Sequence, residues 1–388
     1  DLRMSRGLGD VYKRQMTQNI GAGRPGVAYQ ARQLGLAFNA VLGVIMSLFL
    51  SLGAGTILSG VGVADALMQP AKTYLQIVGG FCILNALIPI CSSYLRAFGF
   101  SKEPLYASII GNVINFCLNA FFLFVLHKGV AGVATATVIS RIINLVIVVL
   151  LGAVLVKAKQ HPERESNRAV MGQIIRIGLP SACETAIYNV SMTLVIRFLN
   201  QMDAQGLNVT ARSYTMQITN FSYCVGAALA QANAIMTGWH IGAKEYDACD
   251  RGTKKAAVIG AIVAVILETV FTLCSGWIMQ LFSKDPQMVS LVGKLLAIDI
   301  VLEIGRVTNL VYGQALKTSG DAVFPVVMGA CFMILCSVGG TYLFGIRLGL
   351  LAVGAYIGMT GDECVRAVGM YLRWKSGKWK EKGLVKSR

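Results

Sequence analysis

Residues 131–156 read AGVATATVISRIINLVIVVLLGAVLV, a continuous apolar run broken by one charge, Arg141. A helix of roughly 20 predominantly apolar residues crosses the hydrocarbon core of a bilayer, so this stretch reads as a membrane span. The same pattern recurs on both sides, at 33–55, 71–95, 105–126, 172–199, 209–237, 255–282, 289–315, 322–345 and 349–373. These spans leave no stretch of the 388 residues free for a sizeable soluble domain. The composition agrees, with 55% hydrophobic and only 14% charged residues. The expected fold is an all-α polytopic membrane protein, and its chemistry is expected inside the helix bundle.

The formal charge of +16 falls in short connections and in the tail, not on a continuous face interleaved with aromatics. That distribution argues against nucleic acid as a partner and for the lipid bilayer. Alternate connections hold Arg24 and Arg32, Arg96 and Lys102, Lys157 to Arg168, Lys244 to Lys255, Lys317, and the run from Arg373 to Arg388. The opposite connections hold little beyond Lys128, Lys284 and Arg347. By the positive-inside rule the first set is cytoplasmic, as is the C-terminus, in a multi-pass protein of the cell membrane. The cysteines are scattered singly without a Cys-x-x-Cys pair and read as small buried hydrophobes. An intramembrane hydrolase would need a nucleophile and base or a metal site, but His127, His161 and His240 all lie in or beside connections, so no enzyme and no cofactor is expected. Gly21-Ala22-Gly23 lacks both the preceding strand and the Gly-Lys-Ser/Thr of a phosphate loop, so ATP is not expected to supply energy.

The chain contains an internal repeat. Ile20-Gly21-Ala22 recurs as Ile241-Gly242-Ala243, Arg96 as Lys317, and Pro104 as Pro325, each 221 residues on (241−20, 317−96, 325−104); Gly129 recurs as Gly349 after 220. Each pair occupies the same place relative to a span. The expected organisation is a first lobe at 16–157, a polar linker at 158–171, a second lobe at 172–373 and a basic tail at 374–388. The offset puts the partners of the 172–199 and 209–237 spans before or across the start of the chain. Residues 1–15 should then match Ser222 to Met236, yet they carry Asp1, Arg3, Arg6, Asp10, Lys13 and Arg14. A charge near the centre of a span costs on the order of 3 kcal/mol, so 1–15 reads as a segment foreign to the repeat, with the first two spans missing.

The residues that carry the repeat also carry a family resemblance. Gln18 to Arg24 (QNIGAGR), Tyr94 to Gly99 (YLRAFG) with Pro104, Gly111 to Asn115 (GNVIN), Ala131 to Thr137, Gly178-Leu179-Pro180-Ser181, Ala315 to Asp321 (ALKTSGD) and Arg373 to Trp379 (RWKSGKW) resemble, in order and spacing, the MATE (multidrug and toxic compound extrusion) transporters. The likeness runs from Met16 to about Trp379. It implies two six-helix bundles, of which about ten of twelve spans are present here. It also implies secondary antiport: export of small organic, often cationic, compounds in exchange for sodium or protons, by a protein expected to be monomeric.

Ionisable residues inside spans are functional candidates, since only pairing or a wet cavity makes them tolerable. Glu184 lies four residues after Pro180, with Arg176 available to neutralise it. The resemblance implies an acidic cation- or substrate-binding residue in this helix, either at Glu184 or one turn further, where Tyr188 stands. Asp299, Glu303, Arg306 and Asn309 form one helical stripe by their spacings of 4, 3 and 3. Sodium is possible at Glu184 or Glu303. Asn112 and Asn115, and Gln217 and Asn220 with Tyr223, are cavity-lining candidates, interhelical hydrogen bonding being the alternative. Glu268 and the Asp362, Glu363 and Arg366 cluster read as structural or interfacial. A flippase of lipid-linked saccharides is the alternative function; it would favour several cavity cations, for which Arg306, Arg141 and Arg197 are the available residues.

Overall fold

The computed structural model describes residues 2–61, 65–156, 163–203 and 206–383. All regular elements among them are helices: α1 Leu2–Gly21, α2 Pro25–Leu52, α3 Ala54–Val61, α4 Asp65–Gly80, α5 Ile83–Ala97, α6 Lys102–Val125, α7 Gly129–Leu155, α8 Asn167–Met202, α9 Leu207–Gly242, α10 Tyr246–Leu273, α11 Ser275–Met279, α12 Pro286–Ser319, α13 Val323–Arg347 and α14 Leu351–Lys375. Each expected span falls on one helix except 33–55, 71–95 and 255–282, which run across the α2–α3, α4–α5 and α10–α11 breaks. By length and apolarity alone five of these helices qualify as spans, and α4 with α5 makes a sixth, bent by 42°. Of the remaining expected spans, α8, α9, α12 and α14, the last two carry most of the buried ionisable residues found there, whose charges lower their mean hydropathy.

Local signals explain the boundaries. Pro25 opens α2, where its missing N–H costs nothing. Asp285 caps α12 by accepting from the Gln287 amide at 3.0 Å, with Pro286 next in the chain. Gly320 ends α12 in the left-handed region at φ 116°, returning its N–H to the Leu316 carbonyl at 3.1 Å.

The chain divides into two compact units, Asp1–Ile175 and Arg176–Arg388. In the first, α5 packs on α1, α2 and α7, and α6 on α7. Residues 2–15, expected to be foreign to the repeat, continue directly into 16–21 as one helix. Tyr12 is buried over Gly35, where a Cβ would meet its ring at 2.5 Å, and its hydroxyl accepts from the Asn39 amide. α1 ends 221 residues before α9 does (242−21). Of the expected linker, 158–162 lies outside the described residues; 163–166 is irregular and α8 already begins at Asn167. Gln30 brackets this stretch, donating to the Glu165 carbonyl at 2.7 Å and accepting from its amide at 3.0 Å, and Arg24 pairs with the Glu165 carboxylate at 2.6 Å.

In the second unit α12 is the axis, in contact with α9, α10 and α14. Small residues let the helices close: a Cβ on Gly226 or on Gly260 would strike the Val307 side chain at 2.6 Å, and one on Gly305 would lie 2.9 Å from the Cys364 backbone nitrogen. Such close backbone approach is how helices associate where lipid is as apolar as leucine. At one end Trp374 stacks on Trp379, ring centroids 4.1 Å apart, which folds the start of the expected tail back onto the bundle as a short 3-10 turn, Lys378–Lys382. Residues 384–388 lie outside the described residues.

Candidate functional site

The second unit concentrates its buried charge on α12 and α14. Glu303 is wholly buried, and Arg306, one turn on, donates to its Oε2 at 2.7 Å. Close approach of α14 at Gly305 brings Glu363 to the same guanidinium, 3.6 Å from Arg306 Nε. Asn309 donates to the second oxygen of Glu363 at 3.0 Å, and Arg366 Nη2 lies 3.1 Å from the first. Arg366 in turn grips Asp362 with two hydrogen bonds, 2.8 and 2.9 Å, while Ser337 donates to the same carboxylate at 2.9 Å. The result is a chain of alternating charge, Glu303–Arg306–Glu363–Arg366–Asp362, in which Glu363 is the hub. At an effective dielectric of about 20, each contact pair is worth on the order of 4 kcal/mol before desolvation. Breaking one partner away is more costly than the net gain of the pair, because a charge is left buried.

The expected stripe is present, with Glu303, Arg306 and Asn309 all engaged. Asp299 is 2% exposed, and its Oδ2, like Glu303 Oε1, has no hydrogen-bond partner among the described residues. Tyr223 lies beneath Arg306, its ring centroid 5.8 Å from the guanidinium, and Tyr188 lies within electrostatic reach of the same group. Glu184 does not join this chain. Its carboxylate meets Lys317 at 2.5 Å, so the neutralising partner is Lys317 of α12. It also packs against α13, where a Cβ on Gly329 would lie 3.6 Å from its Oε1. Asn112, Gln217 and Asn220 are exposed on α6 and α9, and Asn115 accepts from Asn119 on its own helix at 3.1 Å.

Four residues that read as structural in the sequence belong to the buried network or its surroundings: Asp362, Glu363, Arg366 and Glu268. Asp362, Glu363 and Arg366 sit within one turn of each other, which reads as a self-contained cluster until Gly305 brings α12 against it. Glu268 stands alone in Val-Ile-Leu-Glu-Thr-Val, and that isolation in an apolar run was the available signal.

A sequence model of the family MatE matches residues 13–121 and 180–343. The chain belongs to the MatE family. MATE proteins are polytopic membrane transporters, and the curated relatives agree with the match. The chain is 32% identical over 376 residues, 95% of this chain and 82% of the relative, to "Uncharacterized transporter YisQ" of Bacillus subtilis. It is 22% identical over 362 residues, 87% of this chain and 76% of the relative, to "Probable multidrug resistance protein NorM" of Thermotoga maritima. Among solved structures, one described as MATE in the straight conformation superposes with a TM-score of 0.88 at 19% identity, covering 98% of this chain and 85% of that one. An outward-facing MATE transporter of the MOP superfamily gives 0.88 at 18%, covering 98% and 86%. The fold is therefore that of MATE transporters, two related helical units.

Proposed function

We propose that this MATE protein is a secondary antiporter of the cell membrane that exports small organic, often cationic, compounds in exchange for a monovalent cation, sodium or a proton. The single observation that carries the reading is the buried Glu303–Arg306 pair with Glu303 Oε1 left unpartnered. The chain of Glu303, Glu363 and Asp362 with Arg306 and Arg366 carries one carboxylate more than it has cations, and that excess charge in a poorly screened interior attracts any cation that reaches it, so coupling ion and exported cation compete for it. Competition for one charge, with access alternating between the two sides, suffices for exchange and is reciprocal by linkage. Glu184 is a second carboxylate for such exchange, once Lys317 gives way. The names of relatives such as NorM support a drug-like substrate class. Arg306 is committed to Glu303 and Glu363, so it is not available to an anionic lipid-linked saccharide. The protein is read as a monomer with a cytoplasmic C-terminus, on the distribution of Lys and Arg.

The test is Glu303→Gln in the full-length protein. Ethidium efflux from cells should be abolished while the amount of protein in the membrane is unchanged. Undiminished efflux removes Glu303 from the mechanism.

A further inference from the structure

One corner of the second unit takes no part in the proposed exchange. After α14 the chain turns at Gly377, in the left-handed region at φ 71°, and Trp379 stacks on Trp374 and donates its Nε1 to the Trp374 carbonyl at 3.0 Å. Trp374 in turn donates to Asp250, near the start of α10, at 2.9 Å, and Lys382 anchors the turn on Asp321 at 2.7 Å. The start of α10, the end of α14 and the 378–382 turn are thereby held together.

This corner holds more cations than carboxylates. Asp250 is paired with Lys254 at 2.7 Å and is also reached by Lys380. Arg251, Lys255, Lys375 and Lys378 are exposed and have no ion pair among the described residues. Six cations, Arg251, Lys254, Lys255, Lys375, Lys378 and Lys380, thus stand against three carboxylates, Asp247, Asp250 and Glu381, an excess of three (6−3).

Solvated lysines alone would say little; the helix surface beside them says more. On α10, Lys255 is followed at helical spacing by Ile259, Ile262 and Ile266, and on α14 Lys375 is preceded by Leu372, Val368 and Val365, all six of them exposed. At 1.5 Å per residue the stripes extend about 16 Å and about 15 Å from their lysines, roughly the depth of one leaflet of a ~30 Å hydrocarbon core. The two helices run in opposite directions from the Asp250–Trp374 contact, so both lysines cap their stripes at the same end. An acyl chain fits such a stripe, and a cation at its end meets the headgroup. A free phosphate, a nucleotide or an acidic peptide would engage the cations and leave the stripes unused, whereas a phospholipid with a negative headgroup engages both.

We propose that this corner binds an anionic phospholipid of the cytoplasmic leaflet, its phosphate on Lys255, Lys375 and Lys378 and its acyl chains along the two stripes. The bound lipid neutralises excess charge and ties α10 to α14. The proposal takes from the function proposed above only the cytoplasmic placement of the C-terminus and does not require exchange. Anionic lipid makes that leaflet's surface negative, and each basic residue near it strengthens binding roughly five-fold.

The experiment is native mass spectrometry of the full-length protein released from vesicles of phosphatidylglycerol and phosphatidylcholine in equal parts, with matched acyl chains. Wild type should retain phosphatidylglycerol in preference to phosphatidylcholine. Lys255→Gln, Lys375→Gln and Lys378→Gln combined should weaken that retention on the order of 100-fold. All three side chains are exposed, so the variant should fold and insert as wild type does. If it does not reach the membrane, Lys378→Gln alone is read, with a loss of roughly five-fold expected. Lys284→Gln, exposed beyond the other end of α10, should leave retention unchanged, and glycerol phosphate, a headgroup without chains, should not displace the lipid. Equal retention of both lipids, undiminished retention in the lysine variants, an equal loss in Lys284→Gln, or displacement by glycerol phosphate overturns the proposal. The readout is bound lipid, so normal export by Glu303→Gln defeats the exchange reading and leaves this site standing.

Discussion

The two units share a helical plan down to single residues and differ in what they bury. Helices start at Pro25 and Tyr246, Asp65 and Pro286, Lys102 and Val323, each pair 221 apart (246−25, 286−65, 323−102). Left-handed backbone recurs at Gly23 and Lys244 and at Gly99 and Gly320, again 221 apart. Even the lipid-facing ends match, with Leu52 and Leu273 both about four-fifths exposed, at 83% and 80%. Yet at the places of Glu268, Asp299, Glu303, Arg306 and Asn309 the first unit has Ser47, Val78, Cys82, Asn85 and Ile88. Its helix also breaks there, between Gly80 and Ile83, after the Gly79-Gly80 pair, whereas α12 runs unbroken through Glu303. A shared scaffold thus carries buried carboxylates at these places in one copy and none at the matching places in the other, whose buried charges among the described residues are Lys13, Arg14 and Arg32. The shared architecture alone does not require the charges.

The sharpest way to break this contrast is at the hub. Glu363→Ala leaves Arg306 and Arg366 with one carboxylate partner each, Glu303 and Asp362, and should cost up to about 3–5 kcal/mol, seen as a large drop in thermal unfolding temperature in detergent together with lost efflux. Transplanting from the first unit tests the packing that brings α14 to α12. Gly305 corresponds to Leu84, and Gly305→Leu drives a side chain into the Glu363–Cys364 backbone. A loss of about 1–3 kcal/mol is expected, with ethidium affinity falling because Glu363 moves away from Arg306; unchanged stability would mean that α14 can retreat freely.

A smaller effect is expected at the end of the second unit, where Asp321 stands in place of Phe100 and holds Arg373 at 2.6 Å and Lys382 at 2.7 Å. Burial works to raise the Asp321 carboxyl, but the hydrogen bonds and charges of Arg373 and Lys382 outweigh it and hold it below the usual carboxylate range. A carboxyl depressed on folding contributes stability above its unfolded value of about 4 and loses it as pH falls through the folded one. Limited proteolysis of the 378–382 turn should therefore accelerate only in acid. Asp321→Asn should accelerate it at neutral pH, for a loss of about 1–2 kcal/mol. Smallest of all is the swap at the repeated left-handed position. Lys244→Gly should stabilise by up to about 1 kcal/mol and Gly23→Ala destabilise by a similar amount; equal and opposite shifts in unfolding temperature would show that the two turns are equivalent.

Much of this was legible in the chain. Ten apolar runs, the 221-residue offset and the α12 stripe need only composition and spacing. The site was legible in part: Glu303, Arg306 and Asn309 lie one helical turn apart, and a turn is a local fact. Glu363 and Glu268 were not, since Asn309 meets Glu363 across 54 residues (363−309) and the like charge of Glu303 acts on Glu268 across 35 (303−268). The partner of Glu184 differs from the expected one for the same reason. Arg176 is nearer in sequence, but α12 brings Lys317 to it from 133 residues away. For Tyr12, Lys13 and Arg14 the charge pattern alone leaves the surroundings unknown. Tyr12, Lys13 and Arg14 are buried in a helix against protein, where partners offset the cost.

By itself the sequence determined the bilayer as solvent, the two-fold repeat and the turns that end its helices, because hydrophobic length, periodicity and left-handed glycine act within a few residues. The tertiary structure decided which buried charges neutralise which, and which are left over. That outcome depends on how closely Gly305, Gly226 and Gly260 let three helices approach α12, and Coulomb energy in a low dielectric changes by several kcal/mol over a few ångströms.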